Sequence, residues 1–149
     1  MFGLSHEILG EMGLAWCRRL VGIEPHLTSR SDDLEFRGFL HKYGSSVQER
    51  RSAASRVMSV LGILAGQLIR QREAGSEFLV GHSLSAVDIY WAVCSNLFAP
   101  LPNEMLPMPD ALRTIVVSEA QPFRDALDPI LLKHREFVYT RFLRLPIEL

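Results

Sequence analysis

The sequence predicts an all-α protein whose 149 residues form a single domain. Apolar residues recur at steps of three and four over long stretches, which is the period of an amphipathic helix. Ser or Asp stands where several of these stretches begin, and both residues cap helix N-termini by accepting hydrogen bonds from free backbone amides. No stretch alternates between apolar and polar residues for long enough to predict a β-strand. We therefore expect a bundle of about six or seven helices.

The first helix is predicted over residues 3 to about 23. Its apolar side chains form one stripe, made of Leu4, Ile8, Met12, Ala15 or Trp16, Leu20 and Ile23. Gly10 and Gly13 lie inside this helix, and each costs about 1 kcal/mol relative to alanine. Glycines one turn apart are explained either by tight helix packing or by the close approach of another backbone or a ligand.

A loop is predicted over residues 24–33, which are rich in polar residues. Asp32 or Asp33 can cap a shorter helix that runs to about Tyr43. Gly44 follows that helix, where a left-handed turn often ends a helix.

A long helix is predicted to follow. Ser46 and Glu49 have the spacing of a capping box, in which each side chain bonds the other residue's amide. The apolar residues after them keep the helical period, and Gly75 is placed to end the helix.

The central helix is predicted over residues 86 to about 99. Ser85 and Asp88 form a second capping box, with Asp in place of the usual Glu, and Leu84 and Ile89 have the spacing of a hydrophobic staple. Because this helix carries no charge after Asp88, it is predicted to be buried among other helices.

The C-terminal part is predicted to contain three further helices. Prolines break regular structure after the central helix, and a short helix then covers residues 110–117. Pro122 opens the next one, over residues 123–127. Asp128 caps the last, which begins with a proline and runs over residues 130 to about 143.

Composition and charge exclude several classes of protein. A net charge of −1 gives no electrostatic reason to bind nucleic acid or an anionic membrane. The uncharged stretches are shorter than the roughly 18 apolar residues that suggest a membrane span, and the N-terminus lacks the pattern of a signal peptide. Cys17 and Cys94 lie among apolar residues and are expected to be buried thiols. We expect a cytoplasmic protein.

The residues alone specify no catalytic site. The five histidines are scattered without the spacing of a metal site, so no metal is expected. The sequence also has no Gly-rich phosphate loop, no nucleophile elbow and no pair of cysteines with redox spacing.

The segment over residues 79–89 resembles the capping motif of the C-terminal domain of glutathione transferases. The matching features are an apolar run, then Gly81, Ser85, Asp88 and Ile89. The resemblance implies an orthogonal bundle of helices, whose first helix supplies the wall for a hydrophobic co-substrate. It also implies dimer contacts, so we expect a homodimer or a missing partner domain.

In that family, a thioredoxin-like N-terminal domain carries most of the glutathione site. The chain lacks that domain, so we expect no cofactor here and glutathione only if such a domain is present. The start of the chain within a helical pattern favours an excised domain, and a natural stand-alone protein is the alternative. Either way, the chain alone is expected to be inactive.

The position of the first helix suggests which residues contact a substrate. The predicted substrate-binding residues are Glu7, Glu11, Trp16 and Arg19. Behind them would lie Tyr90, Trp91 and Asn96. Core packing is the other explanation for both tryptophans.

A second function class stays open, because domains similar to this one also serve as protein-assembly modules that catalyse nothing. A substrate role predicts a concave apolar wall on the first helix. An assembly role predicts a flat apolar patch, through which the first helix and its neighbours would self-associate.

Overall fold

The protein is described by a computed structural model that covers residues 2–23, 27, 32–43, 46–124 and 126–147. Within these ranges the chain forms seven α-helices and no β-strand, which confirms the all-α class. The helices are α1 (Phe2–Leu9), α2 (Leu14–Ile23), α3 (Leu34–Tyr43), α4 (Val47–Glu73), α5 (Ala86–Cys94), α6 (Asp110–Arg124) and α7 (Pro129–Phe142). A 3-10 helix, Ser95–Leu97, continues α5.

The bundle is organised around two long-range packings. Helix α2 packs along α4, and α5 packs on α1 and α7. The larger apolar core lies between these helices, and a smaller one lies where α7 meets the segment after α5. By length and composition alone α4 could cross a membrane, a criterion that the core helix of a bundle also meets.

The prediction of one helix over residues 3–23 is wrong, because the chain turns between α1 and α2. Met12 has a left-handed backbone, with φ of +53°. A Cβ atom on Gly13 would lie 2.7 Å from the carbonyl oxygen of His6, so only glycine fits this tight turn. The two glycines therefore serve the turn itself, and not the packing of a continuous helix.

Helix α3 ends at Tyr43, as predicted. The predicted loop over residues 24–31 lies outside the described residues except for Leu27, and the turn at Gly44 also lies outside them.

Helix α4 begins and ends where the sequence predicts. The hydroxyl of Ser46 accepts a hydrogen bond from the amide of Glu49, at 3.1 Å. At the other end, Gly75 has a φ of +79°, a conformation that glycine adopts without strain.

Helix α5 is shorter than predicted. It ends at Cys94, and the chain tightens into the 3-10 turn instead of continuing to residue 99. The hydroxyl of Ser95 donates to the carbonyl of Ala92 at 2.6 Å, and this local bond competes with regular helical bonding.

The prediction of two helices over residues 110–127 is also wrong, because α6 is one helix. Pro122 lies in its last turn. A proline removes one helical hydrogen bond and its ring crowds the preceding turn, and α6 ends two residues after it, at Arg124. Asp128 then caps α7 as predicted, accepting from the amide of Ile130 at 2.8 Å.

Candidate ligand-binding cavity

An apolar cavity of about 510 Å³ lies between α2, α5, α6 and the segment that joins α5 to α6. Leu, Ile, Val, Met and Ala side chains make up most of its wall. Its more polar members are Arg19, Tyr90, Cys94 and Asn96. This volume and lining are typical of sites for small organic molecules.

Helix α5 presents one face to the cavity and buries the other. Tyr90 and Val93 of α5 line the cavity at a step of three residues, which places them on one side of the helix, and Asn96 of the 3-10 helix that follows lines it as well. Val93 is 56% exposed, at the mouth. On the opposite side Trp91 is fully buried, and its indole nitrogen donates to the carbonyl of Leu131 in α7 at 3.0 Å.

The amide of Asn96 is fixed by three hydrogen bonds. Its Nδ2 donates to the hydroxyl of Tyr139 at 2.8 Å and to the carbonyl of Val93 at 3.2 Å. Its Oδ1 accepts from the amide of Leu101 at 3.1 Å. Burial raises the pKa of Tyr139, against the opposing effect of the Asn96 bond and of Arg135. Asn96 thus shapes the wall of the cavity.

Two adjacent arginines at the cavity have different surroundings. The Arg18 guanidinium is buried, lies 3.3 Å from the carboxylate of Glu119 and donates to the carbonyl of Leu97. Burial lowers its pKa, although Glu119 opposes this shift. Arg19 lies in the cavity wall, where its NH1 donates to the carbonyl of Ala15 at 3.0 Å.

Cys94 does not supply a nucleophile at neutral pH. Burial raises the pKa of its thiol to about 12, despite the opposing charges of Arg19 and Arg18. Cys17 is also a free, buried thiol with a pKa raised by burial. Since the thiolate is the reactive form of cysteine, both side chains are inert in the folded protein.

The structure separates the residues predicted to contact substrate. Arg19 lines the cavity, together with Tyr90 and Asn96. Glu7 instead lies 2.6 Å from Arg56 of α4, whose Nε donates to the carbonyl of Met12. This pair holds the turn between α1 and α2 against the long helix.

The other two candidates lie outside the lining of the cavity. Glu11 is exposed in the turn after α1, and Trp16 is partly buried against the larger core. The two residues of the predicted hydrophobic staple lie in different places, because Leu84 packs on the smaller core and Ile89 lines the cavity.

The capping motif of α5 is a buried polar cluster. Ser85 and Asp88 form the capping box, and the amide and hydroxyl of Ser85 donate to Oδ2 of Asp88 at 2.8 and 2.6 Å. The amide of Leu79 donates to Oδ1 at 2.7 Å. Burial alone would raise the pKa of Asp88, but His134 and these bonds outweigh burial and lower it.

His134 is a member of this cluster that sequence reasoning missed. Its Nε2 lies 3.0 Å from Oδ1 of Asp88, and both side chains are fully buried. The contact is close but out of line for a hydrogen bond, and neither ring nitrogen has a hydrogen-bond partner among the described residues. The pairing joins positions 46 residues apart, so no local spacing could have predicted it.

Three arginines from three helices hold the chain after α5. Arg18 binds the carbonyl of Leu97, Arg135 that of Ala99, and Arg113 those of Leu101 and Leu106. These bonds satisfy carbonyls at an irregular, buried part of the chain. Like the contact of His134 with Asp88, these hydrogen bonds join residues that are far apart in the sequence, so no sequence spacing predicts them.

Comparison with known protein families, with curated proteins and with solved structures gives no match. Among the described residues, no group of three or more His, Cys, Asp or Glu side chains could hold a metal ion.

Proposed function

We propose that the chain is the helical domain of a glutathione transferase-like protein and supplies the binding wall for a hydrophobic co-substrate. The observation that carries this proposal is the apolar cavity between α2 and α5, with Arg19 in its wall. The capping motif at Ser85 and Asp88 supports it, because the same motif caps the central helix in that family.

In this proposal the chain does not conjugate glutathione alone. Conjugation needs an ionised thiol, and a free thiol has a pKa near 8.5, so a nearby group must stabilise the thiolate. A thioredoxin-like domain would hold glutathione and supply that group, while this chain binds the second substrate. The purified chain should therefore neither bind immobilised glutathione nor conjugate it to a chloronitrobenzene above the uncatalysed rate. A conjugation rate that falls on mutation of Arg19 would contradict this expectation.

The binding role is tested with a neutral fluorescent probe, N-phenyl-1-naphthylamine. Val93→Phe fills the mouth of the cavity and should weaken probe binding about tenfold, because a blocked apolar pocket loses its contacts. The matched control is Val47→Phe, since Val47 is 52% exposed at the start of α4, outside the lining. Equal binding by both variants would show that the probe does not occupy this cavity.

A second candidate function is protein assembly, and the outward face of α4 favours it. Met58, Ile63 and Ile69 are 43%, 40% and 43% exposed on this face. Gly62 lies among them, and a Cβ atom there would have no neighbour within 4 Å, so another helix can approach closely. We therefore propose α4 as the surface of self-association, in place of the first helix and its neighbours that the sequence suggests.

Charges on α4 indicate a second copy of the chain as the partner. Arg51 and Glu73 are both exposed and lie eleven residues on either side of Gly62. An antiparallel pair of α4 helices crossing at Gly62 would place each Arg51 beside Glu73 of the other copy. We expect a dimer at micromolar concentration in sedimentation, which Arg51→Glu weakens and the added Glu73→Arg restores. A strict monomer would rule out this candidate.

A further inference from the structure

We infer that the cavity takes a largely apolar ligand with one hydrogen-bond acceptor, such as a carbonyl oxygen, which accepts from the hydroxyl of Tyr90. This inference rests on the proposed binding function of the cavity and adds the chemical class of the ligand. Arg19 has contacts of its own within the protein, so no part of the ligand is assigned to it.

The hydroxyl of Tyr90 is an open hydrogen-bond donor in the cavity wall. The Tyr90 side chain lines the cavity and is partly buried against the larger core. Its hydroxyl has no hydrogen bond to any residue that the structure describes. In the same part of the chain, buried side-chain polar atoms without a partner belong to Arg113, His134 and Arg135, so the Tyr90 oxygen is accessible. A ligand can therefore use this donor without displacing a bond of the protein.

Two other polar residues of the lining offer a ligand little. Both N–H groups of the Asn96 amide donate within the protein, to Tyr139 and Val93, so Asn96 has no donor left. The thiol of Cys94 is buried, and a thiol is a weak donor. A polar atom of a ligand therefore finds a better partner in the Tyr90 hydroxyl than in either of these side chains.

The apolar remainder of the wall limits the ligand to one such polar atom. Side chains of Ile89, Leu97, Met108 and Val116 favour the burial of rings or alkyl chains. A second polar group against these side chains would lose its water without gaining a partner, and this is unfavourable. The polar atom is an acceptor because a phenol is a better donor than acceptor, since its oxygen shares a lone pair with the ring.

Two neutral naphthalene probes of similar size test the inference. Prodan, a propionyl naphthylamine dye, carries a ketone oxygen, and N-phenyl-1-naphthylamine has no comparable acceptor. Tyr90→Phe keeps the ring and removes the hydroxyl. The ratio of the Prodan affinity to the N-phenyl-1-naphthylamine affinity should therefore fall about threefold to tenfold, which is the loss of one hydrogen bond. Bound Prodan should also emit at shorter wavelength in this variant, because its emission depends on hydrogen bonding to the ketone.

Controls separate the site from the rest of the protein. Tyr43→Phe makes the same change at the end of α3, outside the lining, and should leave both affinities and the Prodan emission unchanged. Val93→Phe should weaken both probes together, because Val93 lies at the mouth, one helical turn from Tyr90. If Tyr90→Phe unfolds, Tyr90→Leu serves instead, and the same fall in the affinity ratio is expected because both probes lose the ring contacts alike.

The outcomes distinguish the two proposals. If Val93→Phe weakens both probes but the Tyr90 variants leave the affinity ratio and the Prodan emission unchanged, the inferred acceptor is wrong while the binding function stands. If neither probe responds to Val93→Phe, the proposed binding function fails as well.

Discussion

The buried carboxylate of Asp88 should contribute more to stability than an ordinary helix cap. It is fully buried and accepts three hydrogen bonds, from the amide of Leu79 and from the amide and hydroxyl of Ser85. Asp88→Ala would leave these three donors without their acceptor and would remove the carboxylate that lies 3.0 Å from Nε2 of His134. Leaving a buried donor without its acceptor costs about 1–3 kcal/mol, and Asp88 accepts from three donors, so the loss should exceed the roughly 0.5–2 kcal/mol of an ordinary cap.

Ser85→Ala provides the comparison within the same box. It removes only the hydroxyl, while the backbone amide still donates to Asp88, so the expected loss is about 0.5–2 kcal/mol. In the double mutant the loss should be smaller than the sum, since the Ser85 hydroxyl has already lost its acceptor. From the sequence alone, the two substitutions are expected to lower the free energy of unfolding equally, because the contacts of Asp88 with Leu79 and His134 cannot be foreseen.

The assay is urea unfolding followed by circular dichroism, with Asp128→Ala as matched control. Asp128 caps α7 through one bond to the amide of Ile130, and it is exposed. Its removal should cost about 1 kcal/mol. The reasoning is refuted if Asp88→Ala costs no more than Asp128→Ala, because burial and the additional donors would then add nothing.

Three further predictions concern the pH dependence of Asp88, the turn at Gly13 and the two cysteines. The pKa of Asp88 is lowered, so its contribution to stability is complete above the unfolded pKa of about 3.9 and is lost as the pH falls through the folded value. In urea melts at several pH values, the difference in unfolding free energy between wild type and Asp88→Asn should shrink in acid. A difference that stays constant with pH would contradict this. Gly13→Ala should cost about 1–3 kcal/mol, because its Cβ meets backbone oxygen at 2.7 Å. Gly3→Ala meets nothing within 4 Å and lies in α1, so it should stabilise the chain slightly in the same melts, by up to about 1 kcal/mol. Both cysteines are buried, so a thiol reagent at pH 8 should label neither in the native chain and both in urea. Rapid labelling of Cys94 without urea would show that the reagent reaches this thiol in the folded protein.

Helix starts could be predicted from sequence because their signals are local. The caps at Ser46, Ser85 and Asp128 each involve residues two or three positions apart, and all three helices begin there in the structure. The break between α1 and α2 could not be predicted from periodicity, since the apolar stripe continues across it. It depends on the left-handed Met12 and on Arg56, a residue 44 positions away whose Nε donates to the Met12 carbonyl.

The sequence suggested Arg19 as a residue of the candidate site, but it did not suggest the residues on the opposite wall of the cavity. The predicted role of the first helix suggested Arg19 as a contact residue, with Tyr90 and Asn96 behind it, and all three line the cavity. The rest of the wall comes from Leu106, Val116 and Ile147, in a loop, another helix and the C-terminal segment. Only the folded chain brings these positions together, so no spacing in the sequence identifies them.

The capping motif and the cavity lie on opposite sides of α5. Asp88 precedes Tyr90 by two residues, and a helix turns about 100° per residue, so the two side chains point away from each other. The buried bonds of Asp88 to Leu79 and Ser85 fix the rotation of the N-terminal end of α5. The arginine bonds to Leu97 and Ala99 fix the chain at its other end. With both ends held, Tyr90, Val93 and Asn96 have one orientation available to them, and it is toward the cavity. The capping motif therefore acts on the cavity wall by setting the rotation of α5, without any of its own polar atoms entering the cavity.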